Sequence, residues 1–111
     1  MKHHTKIIAA GTVLLLTTVL SHAAPAADNW EANCTKCHGA DGKGQTKIGK
    51  KLNLQDYTDA AVQAKMTDAD ITKAITDGVL VDGKQKMKSF KEDLSADEIK
   101  DLVAYVRKFK S

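Results

Sequence analysis

Aromatic residues make up only 5% of this chain, and Trp30, Tyr57, Phe90, Tyr105 and Phe109 are all of them. That leaves a thin core, and a chain this small often needs a staple such as a metal or a disulfide. A large apolar cofactor would help to fill it. Alternation of apolar and polar residues is nowhere long enough to announce a sheet, and there is neither an internal repeat nor a low-complexity segment. Excess charge is lacking as well: the formal balance is +3, and apart from Lys2 and Lys6 near the N-terminus 15 basic residues face 14 acids. A balance so close to neutral argues against general nucleic-acid binding.

The N-terminus differs from the rest of the chain. Lys2 and Lys6 precede an apolar run from Ile7 to Leu20, and Ser21-His22-Ala23 presents small residues at a cleavage position, the three-part pattern of a secretory signal. The run falls short of the roughly 20 residues a spanning helix needs. Residues 1–23 are therefore expected to be removed, leaving residues 24–111 as one exported, periplasmic-type domain with no stable membrane insertion. With no cysteine at the junction, a lipid anchor is not expected.

Helix signals mark much of the remainder. Asp28 with Glu31 has capping-box spacing before a short helix carrying Trp30. Gly39, Gly42, Gly44 and Gly49 make residues 39–54 read as a wrapping loop. Thr58 is the expected cap of a short helix over 59–65. Thr67 with Asp70 begins another, which Asp77-Gly78 stops. Residues 79–93 return to loop. Ser95 with Glu98 opens the clearest helix, in which Ile99, Leu102, Val103 and Val106 recur at i, i+3, i+4, i+7. The expected fold is all-α, four to five short helices joined by two long loops, and long loops in so small a domain usually wrap around something.

The stretch "NCTKCHGADGKG", residues 33–44, admits three chemistries. Structural zinc wants four ligands; beyond the leader the chain offers Cys34, Cys37 and His38 and no other cysteine or histidine, because His3, His4 and His22 leave with the signal. A redox dithiol usually starts a helix in a βαβ setting, which is absent, although an exported chain lacking a cofactor would oxidise the pair to a disulfide. Covalent haem attachment uses every part: the two thiols add to the two vinyl groups, and the turn between them sets the next imidazole beneath the iron. It also explains the wrapping loops.

A closed iron site then needs a sixth donor. Methionine is the usual partner of histidine in electron carriers because its soft thioether favours ferrous iron, and Met66 and Met87 are the candidates. Met66 flanks a helix cap and reads as a flexible core filler. Met87 stands between Lys86 and Lys88 in a long loop, an odd place for a core residue, with Phe90 close by. It is the better candidate.

On these residues the chain resembles the class I c-type cytochromes, small monohaem electron carriers. The resemblance rests on "CTKCHGADGKG", on "MKSF" as an axial-methionine segment and on "LSADEIKDLVAYVRKF" as a closing helix, and it covers nearly all of residues 24–111. It implies helices wrapped around one covalently attached haem c, with first and last helices crossing where Trp30, Leu102 and Tyr105 meet. It implies Cys34 and Cys37 as attachment points and His38 and Met87 as iron ligands. The chain departs from the family twice. Pro25 is its only proline, so a backbone carbonyl between Thr46 and Lys51 is expected to accept the second N–H of His38. Lys88 stands after Met87 where many members have proline.

The expected role is a soluble electron shuttle, not an enzyme, with redox proteins as partners and a monomer as the default state. Lys43, Lys47, Lys50 and Lys51 form one basic loop, and Lys84, Lys86, Lys88 and Lys91 another; they either dock acidic partners or merely solvate the loops. Two other roles stay open: a haem relay subunit of a dehydrogenase or oxidase, and an open sixth position suited to gas sensing or peroxide chemistry.

Overall fold

The computed structural model describes residues 10–13 and 23–111. The expected leader lies, apart from residues 10–13 and 23, outside the described residues. Among those described, no helix is long and apolar enough to cross a membrane.

Helix α1 spans Ala26–Asn33 and runs almost directly into the short α2, Thr35–His38. It begins ahead of the point that the Asp28–Glu31 spacing implies. Its N-cap is Pro25, whose fixed φ suits the entry, and no side chain caps it. The last helix, α6, covers Ala96–Lys108 and opens with the expected capping box of Ser95 and Glu98. Helices α1 and α6 pack on each other. Trp30 is buried there, its ring centroid 5.4 Å from that of Tyr105 and 5.0 Å from that of Phe109. Leu102, 1% exposed, lies at the centre of the core with Ile99, Val103 and Val106.

A polar tie crosses the same contact. Asn29 Nδ2, buried, donates to Glu98 Oε2 at 2.8 Å. That bond and the bond from the Ser95 amide hold the Glu98 carboxyl below its ordinary range. A depressed folded-state pKa contributes stability above the unfolded value, and that stability is lost as pH falls through the folded value. Glu98→Gln is therefore expected to flatten part of the decline in melting temperature seen on acidification through the carboxylate range, while leaving the melt near neutral pH lowered. Circular-dichroism melts of both proteins across that range check it.

Helix α4, Ala60–Lys65, is capped by Asp59 rather than Thr58. Helix α5, Asp68–Asp77, has the expected Thr67–Asp70 capping box and buries Ile71 and Ile75. The junction between them is clamped to α6. Buried Gln63 donates to the carbonyls of Tyr57 (2.7 Å) and Val106 (2.9 Å), while Arg107 donates to the carbonyl and side chain of Gln63 and, at 2.6 Å, to the carbonyl of Met66. The Arg107–Asp68 pair at its edge has an acid 74% exposed and adds little.

Two expected loops contain regular structure. Residues 39–54 hold helix α3, Lys47–Leu52, capped by Thr46. Residues 79–93 hold an antiparallel hairpin, β1 Val79–Val81 and β2 Lys84–Met87, turned at Asp82-Gly83. The described fold thus has six helices and one small hairpin, still dominated by helix.

Candidate functional site

The cysteine motif sits where α1 passes into α2. The His38 amide donates to the Cys34 carbonyl at 2.9 Å, so Cys34 and His38 are one helical turn apart and share a face. Trp30 Nε1 donates to the Gly39 carbonyl at 3.0 Å and fixes the exit of the turn. From the other side, the Thr46 hydroxyl donates to the Cys37 carbonyl at 2.7 Å and accepts from the Gly49 amide at 2.9 Å. A Cβ on Gly49 would lie 2.7 Å from that same carbonyl oxygen. Glycine thus serves close approach here, which is why α3 forms despite it.

The motif opens on a divided apolar cleft. One compartment, about 220 Å³, is lined by Trp30, Cys34, Met66, Ile71, Ile75 and Leu102 among others. The second, about 690 Å³, is lined by Cys37, Leu52, Leu54, Val79 and Val81 with Lys51 and Lys86. His38, Tyr57, Ala74 and Met87 line both. The two cysteines are free and face different compartments, with the histidine and the methionine common to the two.

The chemistry of these groups is set by burial. Desolvation lowers the His38 pKa, so the imidazole is neutral and keeps a lone pair for a metal. Its Nδ1 is buried with no hydrogen-bond partner. No carbonyl between Thr46 and Lys51 accepts from it; that stretch forms helix α3, and the Thr46 carbonyl accepts from the Lys50 amide at 2.9 Å. Burial, with Cys37 nearby, pushes the Cys34 thiol up to about 11, so it remains protonated at neutral pH. Two free thiols, a neutral imidazole and a thioether around an apolar cleft fit a haem attached through thioether bonds.

Met87 is the last residue of β2, half-buried, and pairs with Val79 across the hairpin. Two hydrogen bonds hold the segment after Met87, where Lys88 stands in place of proline. Ser89 Oγ donates to the Thr76 carbonyl, and the Phe90 amide donates to the Ile75 carbonyl at 2.9 Å, strapping the segment after Met87 to the end of α5. Gly78, at φ +77°, allows the strap to lie close: a Cβ there would collide with the Met87 carbonyl and sit 2.9 Å from the Ser89 nitrogen. Met66 also reaches the first compartment but not the second.

Tyr57 is a residue that spacing gives no means of finding. Its ring stacks on the His38 imidazole at 5.3 Å and 24°, and its carbonyl is held by Gln63. Burial, and then Cys34, raise the pKa of its phenol. The eight loop lysines are all exposed; of them, Lys51 and Lys86 line the second compartment.

Comparison with known proteins identifies the family. The family model described as cytochrome C oxidase, cbb3-type, subunit III matches residues 21–106. A solved structure of the KustC0563 c-type cytochrome is similar at 35% identity and a TM-score of 0.71, over 79% of this chain and 100% of that one. A tyrosine-to-phenylalanine mutant of the same cytochrome is similar at 36% identity and a TM-score of 0.68, over 78% of this chain and 100% of that one. No match was found among curated protein sequences. With its cysteine motif at the mouth of an apolar cleft and most of its length matched, the chain belongs to the cbb3-type subunit III family and is a small c-type cytochrome.

Proposed function

We propose that the protein is an exported carrier of single electrons holding one haem c. The observation behind this reading is that Cys34, Cys37, His38 and Met87 all line the same apolar cleft. Cys34 and Cys37 would hold the haem through thioether bonds, and His38 and Met87 would ligate its iron. When bound, the haem supplies a reversible one-electron couple, with methionine ligation and burial favouring the ferrous state. The chain's own contribution is to hold ligands still: Tyr57 stacks on the imidazole, Trp30 and Thr46 fix the turn that carries it, and the Ser89–Thr76 strap fixes the methionine. Fixed ligands keep the reorganisation that accompanies each electron small. No substrate bond is made or broken, so the role is not enzymatic. Residues 1–23 are the cleaved leader, 24–111 the functional domain, and the carrier is a monomer. Its partners are redox proteins with acidic surfaces, met through Lys84, Lys86, Lys43 and Lys47.

A second reading is favoured by the family match: a fixed haem relay within a larger oxidase or dehydrogenase. Optical spectra of the haem-loaded protein, oxidised, reduced and reduced under carbon monoxide, test the site shared by both readings. A low-spin spectrum indifferent to carbon monoxide is expected. Ready carbon monoxide binding would overturn the closed site in favour of gas sensing or peroxide chemistry. Stable co-purification with a larger enzyme would favour the relay over the shuttle.

A further inference from the structure

Ala24, the residue that follows the proposed cleavage point, is held more firmly than an ordinary chain end. It is half-buried, whereas Ala23 is exposed. Pro25 comes next and, with φ at −54°, fixes the direction in which the chain enters α1. Both donors of the buried Asn29 amide are spent at this corner: Nδ2 donates to the Ala24 carbonyl at 3.3 Å and to Glu98 Oε2 at 2.8 Å. One side chain of α1 therefore joins residue 24 to the start of α6. The Ala24 backbone nitrogen is in turn among the donors that act on the Glu98 carboxyl. Terminal residues that lack such ties are usually poorly ordered.

The side-chain charge at this corner has one sign. Asp97 and Glu98 lie in the first turn of α6 and Asp28 in the first turn of α1, and neither turn holds a base. Both helix N-termini are positive ends that a cation would avoid, so a cation at residue 24 depends on these carboxylates, Glu98 above all. While the leader is attached, residue 24 presents a single amide N–H. Hydrolysis of the Ala23–Ala24 bond adds water across it. The new carboxylate leaves with the leader, and residue 24 keeps an α-ammonium, with three donors and a full positive charge, at the place the amide occupied.

We propose that Glu98 and Asn29 form a binding site for the chain's own new N-terminus: removal of the leader creates an α-ammonium on Ala24 that pairs with the Glu98 carboxylate and tightens the contact between α1 and α6. This rests on the leader reading and adds a structural consequence to it, since the maturation cut supplies a tie that the precursor lacks. A charge-assisted bond is roughly twice as strong as the neutral one it replaces, and at a half-exposed corner it remains a modest pair. Pairing raises the pKa of the α-amine. The added stability is therefore fully present below the ordinary α-amino value of about 8 and is lost as pH rises through the folded value.

The test uses the haem-loaded protein exported with its own leader, a variant with Ser-Gly inserted between Ala23 and Ala24, and Glu98→Gln with and without that insertion. Intact mass fixes the first residue of each. The insertion leaves residue 24 an amide and carries the ammonium two residues away. At about pH 6.5 it should melt roughly 2–5 °C below the parent. The difference should shrink to within about 1 °C at about pH 9.5, where the α-amine is neutral, and should vanish in the Glu98→Gln background. An NMR titration of the Ala24 methyl group should give the parent a higher α-amino pKa than Glu98→Gln. Equal melts at the lower pH, with Ala24 confirmed as the first residue of the parent, would overturn the pairing alone. So would a difference of full size in Glu98→Gln, since the insertion would then act by its bulk. A parent mass showing any other first residue would overturn the leader reading and the pairing with it.

Discussion

Met87→Ala is expected to turn a haem-loaded protein that resists carbon monoxide into one that binds it stoichiometrically when reduced. On the proposed His38/Met87 ligation, removing the thioether would leave His38 as the only strong protein ligand and take away the donor that favours ferrous iron, so the reduction potential should drop as well. The expected change is qualitative in the optical spectrum, from low-spin to a high-spin or water-ligated form. Met66→Ala is the control. Its side chain reaches only the compartment that contains Cys34, and its carbonyl is already engaged by Arg107 at 2.6 Å. That variant should keep the parent's spectrum and lose only packing, at a cost of about 2 kcal/mol or more. If carbon monoxide binding instead accompanies Met66→Ala, the ligand assignment is reversed.

Gly78→Ala should damage both stability and ligation. The residue adopts φ +77° and ψ −175°, a region essentially restricted to glycine, and an added methyl group has backbone in its way at Met87, Lys88 and Ser89. Strain of this kind costs of order 1–3 kcal/mol before any displacement. With about 3 kcal/mol lost, the melting temperature of a domain this size falls by roughly 12–24 °C. Because the obstructing groups belong to the strap behind Met87, the surviving folded protein should also show weakened methionine ligation. Gly83→Ala separates the two effects. Its φ of +74° is equally unfavourable, but nothing lies within 4 Å of the added carbon. Only the conformational cost should appear there, with the spectrum intact. Equal behaviour of the two variants would mean that the strap does not set the position of Met87.

The parts of the fold that sequence reveals are those whose cause is local. The capping boxes at Thr67 and Ser95 and the apolar stripe of α6 are complete within a few residues, and the structure contains them at the expected positions. The cysteine motif is equally self-contained. Met87 stands out through an oddity of composition, a thioether among lysines. What stays hidden depends on distant partners. Helix α3 contains a glycine that looks like a breaker until the carbonyls of Gly44 and Cys37 are seen pressed against it. The hairpin has strands of only three and four residues; Val79-Leu80-Val81 is too short to stand out, and Lys-Gln-Lys-Met has no β-branched residue at all. Tyr57 and the Gln63–Arg107 clamp act across long sequence separations, which no periodicity records.

The bond between Asn29 and Glu98 spans 69 positions of the chain, and Trp30 finds its ring partners farther along still, at Tyr105 and Phe109. Closing a loop of that length costs entropy that only the packed α1–α6 contact returns. Helix α5 packs on α6 as well, so two separate stretches of the chain share the last helix as their partner.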